Sequence, residues 1–261
     1  MLRLDGVGKR FGGLSVLDDV SFSVPAGRIF GLIGPNGAGK TTVLNLVTGL
    51  LAPSAGSIVF DGHALAGLAP HAITRLGIAR TFQNIRVFKE MTLLENVVVG
   101  MHAHLRYGVA DWLLGLAAFR RDEGAARAAA LELLATVGLE GRAADRADNL
   151  SYGDQRKLEI ARALATRPRL LLLDEPVAGM NSGEKRELMV RIGEIARRGY
   201  TIFVIEHDMR FVMGLCEQIA VLNFGRIIAQ GTPEQIQRDE AVIEAYLGRE
   251  TDAESAAEAP R

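Results

Sequence analysis

Apolar side chains fall at every second position near the start of the chain. Val20, Phe22 and Val24 alternate with polar residues, and glycines interrupt the short apolar runs before them. A period of two places alternate side chains on one face of a strand. Residues 1–24 are therefore predicted to form antiparallel strands, which the sequence Pro25-Ala26-Gly27 ends.

Three continuous apolar runs predict strands that are buried on both faces. They cover residues 29–33, 170–173 and 201–205. A glycine-rich turn and a predicted helix over residues 40–51 follow the first run, and helical spacing over residues 185–198 precedes the third. This alternation is typical of a largely parallel sheet, in which functional side chains collect at the carboxyl ends of the strands.

The middle of the chain is rich in alanine and leucine at helical spacing. Residues 97–149 are predicted to be mostly helical, and with the next helix they form an expected helical subdomain over about residues 97–165. We predict one domain over residues 1–248 that contains this subdomain. Residues 249–261 combine alanine with acidic residues and bury little, so a disordered tail is expected there.

Composition narrows the possible partners. The chain has 261 residues, 48% of them hydrophobic, and 30 basic residues against 31 acidic ones give a formal net charge of −1. That hydrophobic content is enough for a substantial core. Because the net charge is near zero, a strongly basic nucleic-acid module is excluded, and no nucleic-acid partner is expected.

Cysteine content and apolar segments indicate the compartment. Cys216 is the single cysteine, which excludes an internal disulfide and favours a reducing, intracellular setting; we expect it to be a buried helix residue. The amino terminus lacks the apolar core of a signal peptide. Residues 41–60 carry no charge, but their polar, proline and glycine residues predict a helix, a turn and a strand rather than a membrane span.

The turn after the first buried strand carries a phosphate-binding pattern. Its sequence is Gly34-Pro35-Asn36-Gly37-Ala38-Gly39-Lys40-Thr41, which has the spacing of a P-loop. Small residues let backbone N–H groups converge on phosphate oxygens, and the helix that follows presents its positive end to the same anion. The bland alternative is a glycine-rich turn before an ordinary helix.

Within this loop Lys40 is expected to reach the β and γ phosphates, and the Thr41 hydroxyl to bind Mg²⁺. We count the whole loop and the adjacent Thr42 as cofactor-binding residues for ATP. The pattern alone does not choose among kinases, GTPases and transport motors. The chain has no Asn-Lys-x-Asp segment for reading guanine, which weakens the GTPase option.

Two acidic residues follow the leucine run at 170–173. Asp174 is expected to hold the Mg²⁺ shell, and Glu175 is a candidate general base for an attacking water. In isolation, such a pair could simply mark a strand end that meets solvent. Beside a P-loop, the same pair indicates nucleotide hydrolysis.

One further motif is not explained by a generic P-loop enzyme. The sequence Leu150-Ser151-Tyr152-Gly153-Asp154-Gln155 precedes a predicted helix over residues 155–164, with Ser151 as its N-cap. It resembles the signature motif of ATP-binding cassette (ABC) proteins. The resemblance implies an α/β P-loop NTPase of the ABC ATPase fold, with an antiparallel β subdomain and a helical subdomain. It also implies that Ser151, Gly153 and Asp154 contact the ATP held by a second ATP-binding subunit, so that two chains enclose two nucleotides.

Other positions resemble further motifs of that family. Phe11 resembles the aromatic residue that stacks on adenine, although a core phenylalanine is the alternative. Gln83 resembles the Q-loop glutamine, which senses Mg²⁺ and the γ phosphate; the alternative is a solvated loop amide. His207 resembles the switch histidine that contacts the γ phosphate, against the alternative of a structural histidine. The implied catalytic residues are Glu175, His207 and Gln83, and the implied metal-binding residues are Thr41, Gln83 and Asp174.

Within that family the chain is most similar to the ATP-binding subunits of branched-chain amino acid importers. Four segments carry this closer resemblance: Arg80-Thr81-Phe82-Gln83, Phe88-Lys89-Glu90-Met91-Thr92, the signature segment with Leu158-Glu159-Ile160-Ala161-Arg162, and Ile205-Glu206-His207-Asp208-Met209. Tyr152 and Asp154 replace the commoner glycine and glutamine of the signature. Asn181 stands where most cassettes have an aspartate, which puts communication between the two sites in doubt.

The resemblance implies an ATPase that energises uptake of branched-chain or other hydrophobic amino acids. Its implied partners are transmembrane permease subunits, a second ATP-binding subunit that is identical or paralogous, and indirectly a periplasmic substrate-binding protein. The implied location is the cytoplasmic face of the inner membrane. Two alternatives remain open: an ABC ATPase for another cargo, such as lipopolysaccharide export, and an ABC ATPase that does not serve transport.

Overall fold

The computed structural model describes residues 1–101 and 117–246. The chain forms two compact units. The first unit combines residues 1–73 with the described residues from Thr201 onward, and the second covers residues 74–200. The predicted tail at 249–261 and His102 and His104 lie outside the described residues.

Ten strands and eight helices are described. The strands are β1 (Leu2–Phe11), β2 (Leu14–Val24), β3 (Ile29–Ile33), β4 (Ala55–Phe60), β5 (His63–Ala64), β6 (Ile78–Arg80), β7 (Leu170–Asp174), β8 (Thr201–Ile205), β9 (Gln218–Asn223) and β10 (Arg226–Gly231). The helices are α1 (Lys40–Val47), α2 (Pro70–Arg75), α3 (Leu93–Gly100), α4 (Ala117–Thr136), α5 (Tyr152–Ala165), α6 (Ser182–Arg197), α7 (Met209–Leu215) and α8 (Pro233–Arg238).

The first unit opens with the antiparallel sheet that the period of two predicts. Its strands lie in the order β2-β1-β4-β5, and β1 pairs antiparallel with both β2 and β4. In β2 the alternating residues Val20, Phe22 and Val24 are buried, while the polar residues between them face outward. Burial of one face and exposure of the other is what fixes the register of such a sheet.

The first unit also contains a parallel arrangement around β3. Strand β3 pairs parallel with β8 on one side and β9 on the other, and β10 joins β9 antiparallel. Every residue of β3 and β8 is buried, as the continuous apolar runs predict. Phe22, Phe30 and Phe203 pack against one another with ring centroids 5.5 to 5.8 Å apart. These contacts anchor the strand that leads into the P-loop.

Helix α1 is shorter than predicted, since it ends at Val47 and not at residue 51. Gly49 has a φ of +71°, and a Cβ there would lie 2.6 Å from the Leu68 carbonyl oxygen. The next two backbone N–H groups, of Leu50 and Leu51, both donate to the Asn45 carbonyl. The left-handed glycine therefore reverses the chain and stops the helix.

The second unit contains the parallel pair β6 and β7 and the helices α3 to α6. Its helix starts are set by capping side chains. Helix α5 begins at Tyr152 because Ser151 is its N-cap, as predicted, and α6 begins at Ser182 rather than at 185 because Asn181 caps it. Residues 102–116 of the predicted helical subdomain lie outside the described part of the chain.

Two expectations about buried or apolar segments are settled. Among residues 1–101 and 117–246, no helix is long and apolar enough to cross a membrane. Residues 41–60 form helix α1, a turn and strand β4, as predicted. Cys216 is buried at the C-terminal end of α7, where burial raises the pKa of its thiol to about 12. A thiol in this state is a packing residue and not a nucleophile.

Candidate active site

The P-loop connects β3 to α1 in the first unit, and its glycines are required for two different reasons. A Cβ at Gly34 would lie 2.0 Å from the Leu222 carbonyl oxygen, and one at Gly39 would lie 2.7 Å from the Leu17 side chain. Gly37 has a φ of +80°, and a Cβ there would meet no heavy atom within 4 Å. The outer glycines thus allow close packing, while Gly37 leaves the exposed side of the loop open.

Lys40 is buried at the first position of α1. Its Nζ donates to the carbonyl oxygens of Gly34 at 2.6 Å and Pro35 at 2.9 Å, so the positive charge is held within the curve of the loop. The Ala38 N–H donates to the Pro35 carbonyl at 3.2 Å and closes the turn. A buried cation, an open glycine and a helix N-terminus together fit a polyphosphate.

The rim of this loop is polar and reachable from solvent. Asn36 and Gly37 are exposed, and so is Thr41, whereas Thr42 is half-buried in the first turn of α1. The Thr41 hydroxyl is the kind of hard oxygen donor that Mg²⁺ accepts. The predicted division of labour within the loop, with lysine inside and threonine outside, agrees with this geometry.

Phe11 is not a core residue. Its side chain is 46% exposed at the end of β1, and the Lys9 ammonium lies 5.0 Å from its ring centroid. The alternative of a core phenylalanine is therefore wrong. An exposed ring at a strand end is available for stacking.

His207 follows β8 at the same edge of the first unit's sheet as the P-loop. The Leu32–Ile205 pairing brings the two strand ends together, and the Glu206 N–H donates to the Leu32 carbonyl at 3.4 Å. Glu206 is fully buried; its Oε2 accepts the His207 backbone N–H at 2.9 Å and lies 3.7 Å from Nδ1. Sequence reasoning missed this carboxylate, which fixes the His207 backbone while half of the imidazole stays exposed.

In the second unit the structure brings Gln83 and Glu175 together. Strands β6 and β7 run parallel with Arg80 opposite Leu172, so the chain leaves both strands at one edge. The Gln83 Nε2 donates to Glu175 Oε2 at 3.0 Å. Glu175 has a φ of +45°, a conformation that costs a non-glycine residue about 1 to 3 kcal/mol and persists mainly at functional sites.

Asp174 is held by a neighbour that sequence reasoning did not single out. The Arg80 guanidinium lies 2.8 Å from Asp174 Oδ2, and both side chains are less than 10% exposed. The Asp174 N–H also donates to the Thr81 hydroxyl at 3.3 Å. Because the cation balances its charge, Asp174 can remain a buried carboxylate, which is the donor type that a Mg²⁺ shell requires.

The signature segment forms the start of α5. Ser151 is exposed, and its Oγ accepts the Asp154 N–H at 3.2 Å. Gly153 is buried, and a Cβ there would lie 3.2 Å from a Glu184 carboxylate oxygen. The two Asp154 oxygens bind Arg142 at 3.0 Å and Lys157 at 3.1 Å. Ser151 therefore stands at an open helix N-terminus, whereas the Asp154 carboxylate is engaged within the unit.

Asn181 keeps a structural role that an aspartate would also serve. Its Oδ1 accepts the N–H groups of Gly183 at 2.8 Å and Glu184 at 3.0 Å, and the Glu184 carboxylate accepts the Asn181 N–H at 2.9 Å. This is a complete capping box at the start of α6. Helix α6 is thus capped in full despite the departure from aspartate.

Family models match the chain in two places. The model of the ABC transporter family matches residues 17–178, and the model of the branched-chain amino acid ATP-binding cassette transporter matches residues 226–252. The chain belongs to the ABC transporter family. The predicted ABC ATPase fold and the predicted ATPase activity are both confirmed at this level.

Two curated relatives match nearly the whole chain. LivG of Escherichia coli (strain K12), a high-affinity branched-chain amino acid transport ATP-binding protein, is 46% identical over 249 residues, covering 95% of this chain and 98% of LivG. The lipopolysaccharide export system ATP-binding protein LptB of Haemophilus influenzae is 33% identical over 252 residues, covering 96% and 98%. Similarity to the amino acid transport protein is therefore the greater of the two.

Solved ABC cassettes share the fold. A cassette in its ADP conformation superimposes with a TM-score of 0.81 at 32% identity, covering 95% of this chain and 98% of that one. A dimeric cassette bound to ADP and phosphate after hydrolysis superimposes with a TM-score of 0.75 at 26% identity, covering 89% and 99%. ATP binding and a membrane transporter context follow from membership of the family.

Proposed function

We propose that this chain is the ATP-binding and ATP-hydrolysing subunit of an importer for branched-chain or other hydrophobic amino acids. The observation that carries the proposal is its 46% identity to LivG over 95% of the chain. The match of its C-terminal residues 226–252 to a model specific to branched-chain amino acid cassettes supports the same cargo. Similarity to LptB is lower, so lipopolysaccharide export is the weaker alternative.

The proposed work of the first unit is to bind the triphosphate. Lys40 and the backbone of the loop from Gly34 to Gly39 neutralise and enclose the β and γ phosphates. Phe11 stacks on the adenine ring, and His207, held by Glu206, contacts the γ phosphate. These residues share a unit and the loop and histidine share one sheet edge, which supports a common substrate.

The proposed work of the second unit is to hydrolyse it. Glu175 takes a proton from the attacking water, and Gln83 holds the Glu175 carboxylate in place until substrate arrives. Mg²⁺, when bound by Thr41, Gln83 and Asp174, would neutralise charge that develops on the phosphates. Asp174 and Thr41 offer the oxygen donors that this ion prefers.

Ser151 has no proposed task within its own subunit. It stands exposed at the N-terminus of α5, where a helix attracts anions. We propose that it contacts ATP bound to a second ATP-binding subunit, as an identical or paralogous copy would place it across a twofold axis. The dimeric solved cassette supports this arrangement.

A groove in the second unit is the proposed contact for the permease. It has a volume of about 530 Å³ and is lined by residues that include Arg86, Phe88, Glu159 and Arg162. The Arg162 guanidinium lies 5.4 Å from the Phe88 ring, and that of Arg86 lies 4.4 Å from the ring of Phe82. Aromatic and arginine side chains are enriched where proteins bind one another. Docking here would hold the chain peripherally at the cytoplasmic face of the inner membrane, with a periplasmic binding protein as an indirect partner.

Transport measurements test the proposed cargo. In a bacterial strain that lacks its own branched-chain importer ATPase, co-expression of this chain with its permease and binding protein is expected to restore uptake of radiolabelled leucine. The Lys40→Ala chain, expressed at the same level, is the control and is expected to restore none. Failure to restore leucine uptake, combined with copurification with a lipopolysaccharide export permease, would contradict the proposal.

A further inference from the structure

Arg156 is fully buried in helix α5 and binds the loop that carries Gln83. Its guanidinium donates to the backbone carbonyl of Phe82, to that of Gln83 at 2.7 Å, and to the carboxylate of Glu159 at 2.8 Å. A planar guanidinium can serve several acceptors at once in a fixed geometry, which a lysine ammonium cannot. One side chain of α5 thus fixes two consecutive carbonyls of the loop.

Glu159 completes the attachment from one turn further along α5. It is 2% exposed, and its Oε1 accepts the backbone N–H groups of Phe82 and Arg86, both at 3.3 Å. Burial raises the pKa of Glu159, and the positive charge of Arg156 acts in the opposite direction. The two side chains therefore neutralise each other while each binds loop backbone.

A buried ion pair of this kind is not needed for stability alone. Replacing such a pair by apolar residues of similar volume is often neutral or stabilising, whereas removing one partner is strongly destabilising. What apolar residues could not supply is the set of hydrogen bonds to residues 82, 83 and 86. The pair thus specifies where the loop lies.

We propose that Arg156 and Glu159 are positioning residues for ATP hydrolysis, which fasten the Gln83 loop to the helix whose first turn presents Ser151. The inference rests on the proposed roles of Gln83 and Ser151. The loop and the helix then move as one body, and a displacement of α5 moves the Gln83 amide relative to Glu175. Glu159 also lines the groove proposed for the permease, so a partner docked there would act on the same pair.

Arg156→Lys is the first test, because it keeps the charge balance with Glu159 but cannot bind both loop carbonyls and the carboxylate. We expect kcat for ATP to fall about tenfold while KM changes less than about twofold, since the phosphate-binding loop is untouched. The matched control is Arg191→Lys. Arg191 forms an (i, i+3) pair with Glu194 at 3.2 Å on helix α6, and its kinetic constants are expected to stay at wild-type values.

A second comparison separates positioning from folding. The double variant Arg156→Met/Glu159→Leu removes both charges, and we expect it to fold with a Tm close to that of the wild type but with the reduced kcat. In a Gln83→Ala background, the same double change is expected to lower kcat less than about twofold further, because its effect acts through Gln83.

Three results would decide against the inference. Unchanged kcat in Arg156→Lys, or loss of kcat in the double variant that multiplies fully with that of Gln83→Ala, would overturn it. An unfolded double variant together with wild-type kinetics in Arg156→Lys would assign the pair a purely structural role. If Gln83→Ala itself hydrolyses ATP at the wild-type rate, the proposed role of Gln83 fails, and the inference fails with it.

Discussion

Glu175→Gln is expected to lower ATP hydrolysis by about 100- to 10,000-fold while leaving nucleotide binding intact. General-base assistance has about this value in enzymes, and the amide cannot accept the proton of the attacking water. Gln is close in shape to Glu, so the bond that the Gln83 Nε2 donates at 3.0 Å can still find an oxygen acceptor. Single-turnover hydrolysis and the affinity for a fluorescent ATP analogue measure the two effects separately.

The same variant is expected to accumulate as a dimer in Mg-ATP, because ATP that is bound but not cleaved keeps two subunits together. Moving an equilibrium from 1:99 to 99:1 requires a preference of about 10⁴ for the closed form. Light scattering with and without Mg-ATP measures the mass. Glu132→Gln, an exposed residue of α4, is the control and should behave as wild type. Glu175→Gln that hydrolyses ATP at the wild-type rate would remove Glu175 from the proposed mechanism.

Lys40→Ala is expected to weaken ATP binding by about 10- to 100-fold and to abolish hydrolysis. A hydrogen bond to a charged group contributes about 1.5 to 3 kcal/mol, and no other side chain of the P-loop carries a positive charge. The change also removes both bonds to the carbonyls of Gly34 and Pro35, so the loop loses part of its own support. Isothermal titration with ATP measures the affinity, and thermal unfolding reports the effect on the fold.

The exposed lysine Lys89 supplies the matched control for that measurement. Lys89→Ala removes the same charge from the second unit and should bind ATP with wild-type affinity. If Lys40→Ala bound ATP as tightly as Lys89→Ala does, the assignment of the loop from Gly34 to Thr41 as the phosphate site would be wrong.

Local signals in the sequence predicted the parts of the site that depend on neighbouring residues. The strand, glycine-rich loop and helix around Lys40 are contiguous, and so are Ser151 and the helix that it caps. Turn chemistry and capping act over a few residues, which is why these elements were predicted correctly. The end of α1 was misjudged because the left-handed conformation of Gly49 depends on packing against Leu68.

The contacts that sequence reasoning missed connect distant parts of the chain. Arg80 reaches Asp174 across 94 positions, and Arg156 reaches the carbonyl of Phe82 across 74. No local pattern states which loop a buried arginine will bind. The signal in the sequence was the pair Arg156 and Glu159 at (i, i+3) spacing within an apolar helix, because buried charges occur where they are paired and hydrogen-bonded.

Phe11 shows how the structure decides between alternatives that the sequence leaves open. A single aromatic residue after a strand fits a core position as well as a stacking position. The measured exposure of 46% excludes the core and leaves the ring open to a planar ligand. Gln83 is similar, because only its bond to Glu175 shows that the amide belongs with the acidic pair.

A complementation experiment tests the central claim, that each hydrolytic site takes its P-loop from one subunit and its signature serine from another. The Lys40→Ala chain lacks the first part and the Ser151→Arg chain lacks the second, so neither is expected to hydrolyse ATP alone. An equal mixture should form hybrid dimers with one complete site each, and recover about a quarter of the wild-type rate. A mixture with no more activity than its two components would contradict the account.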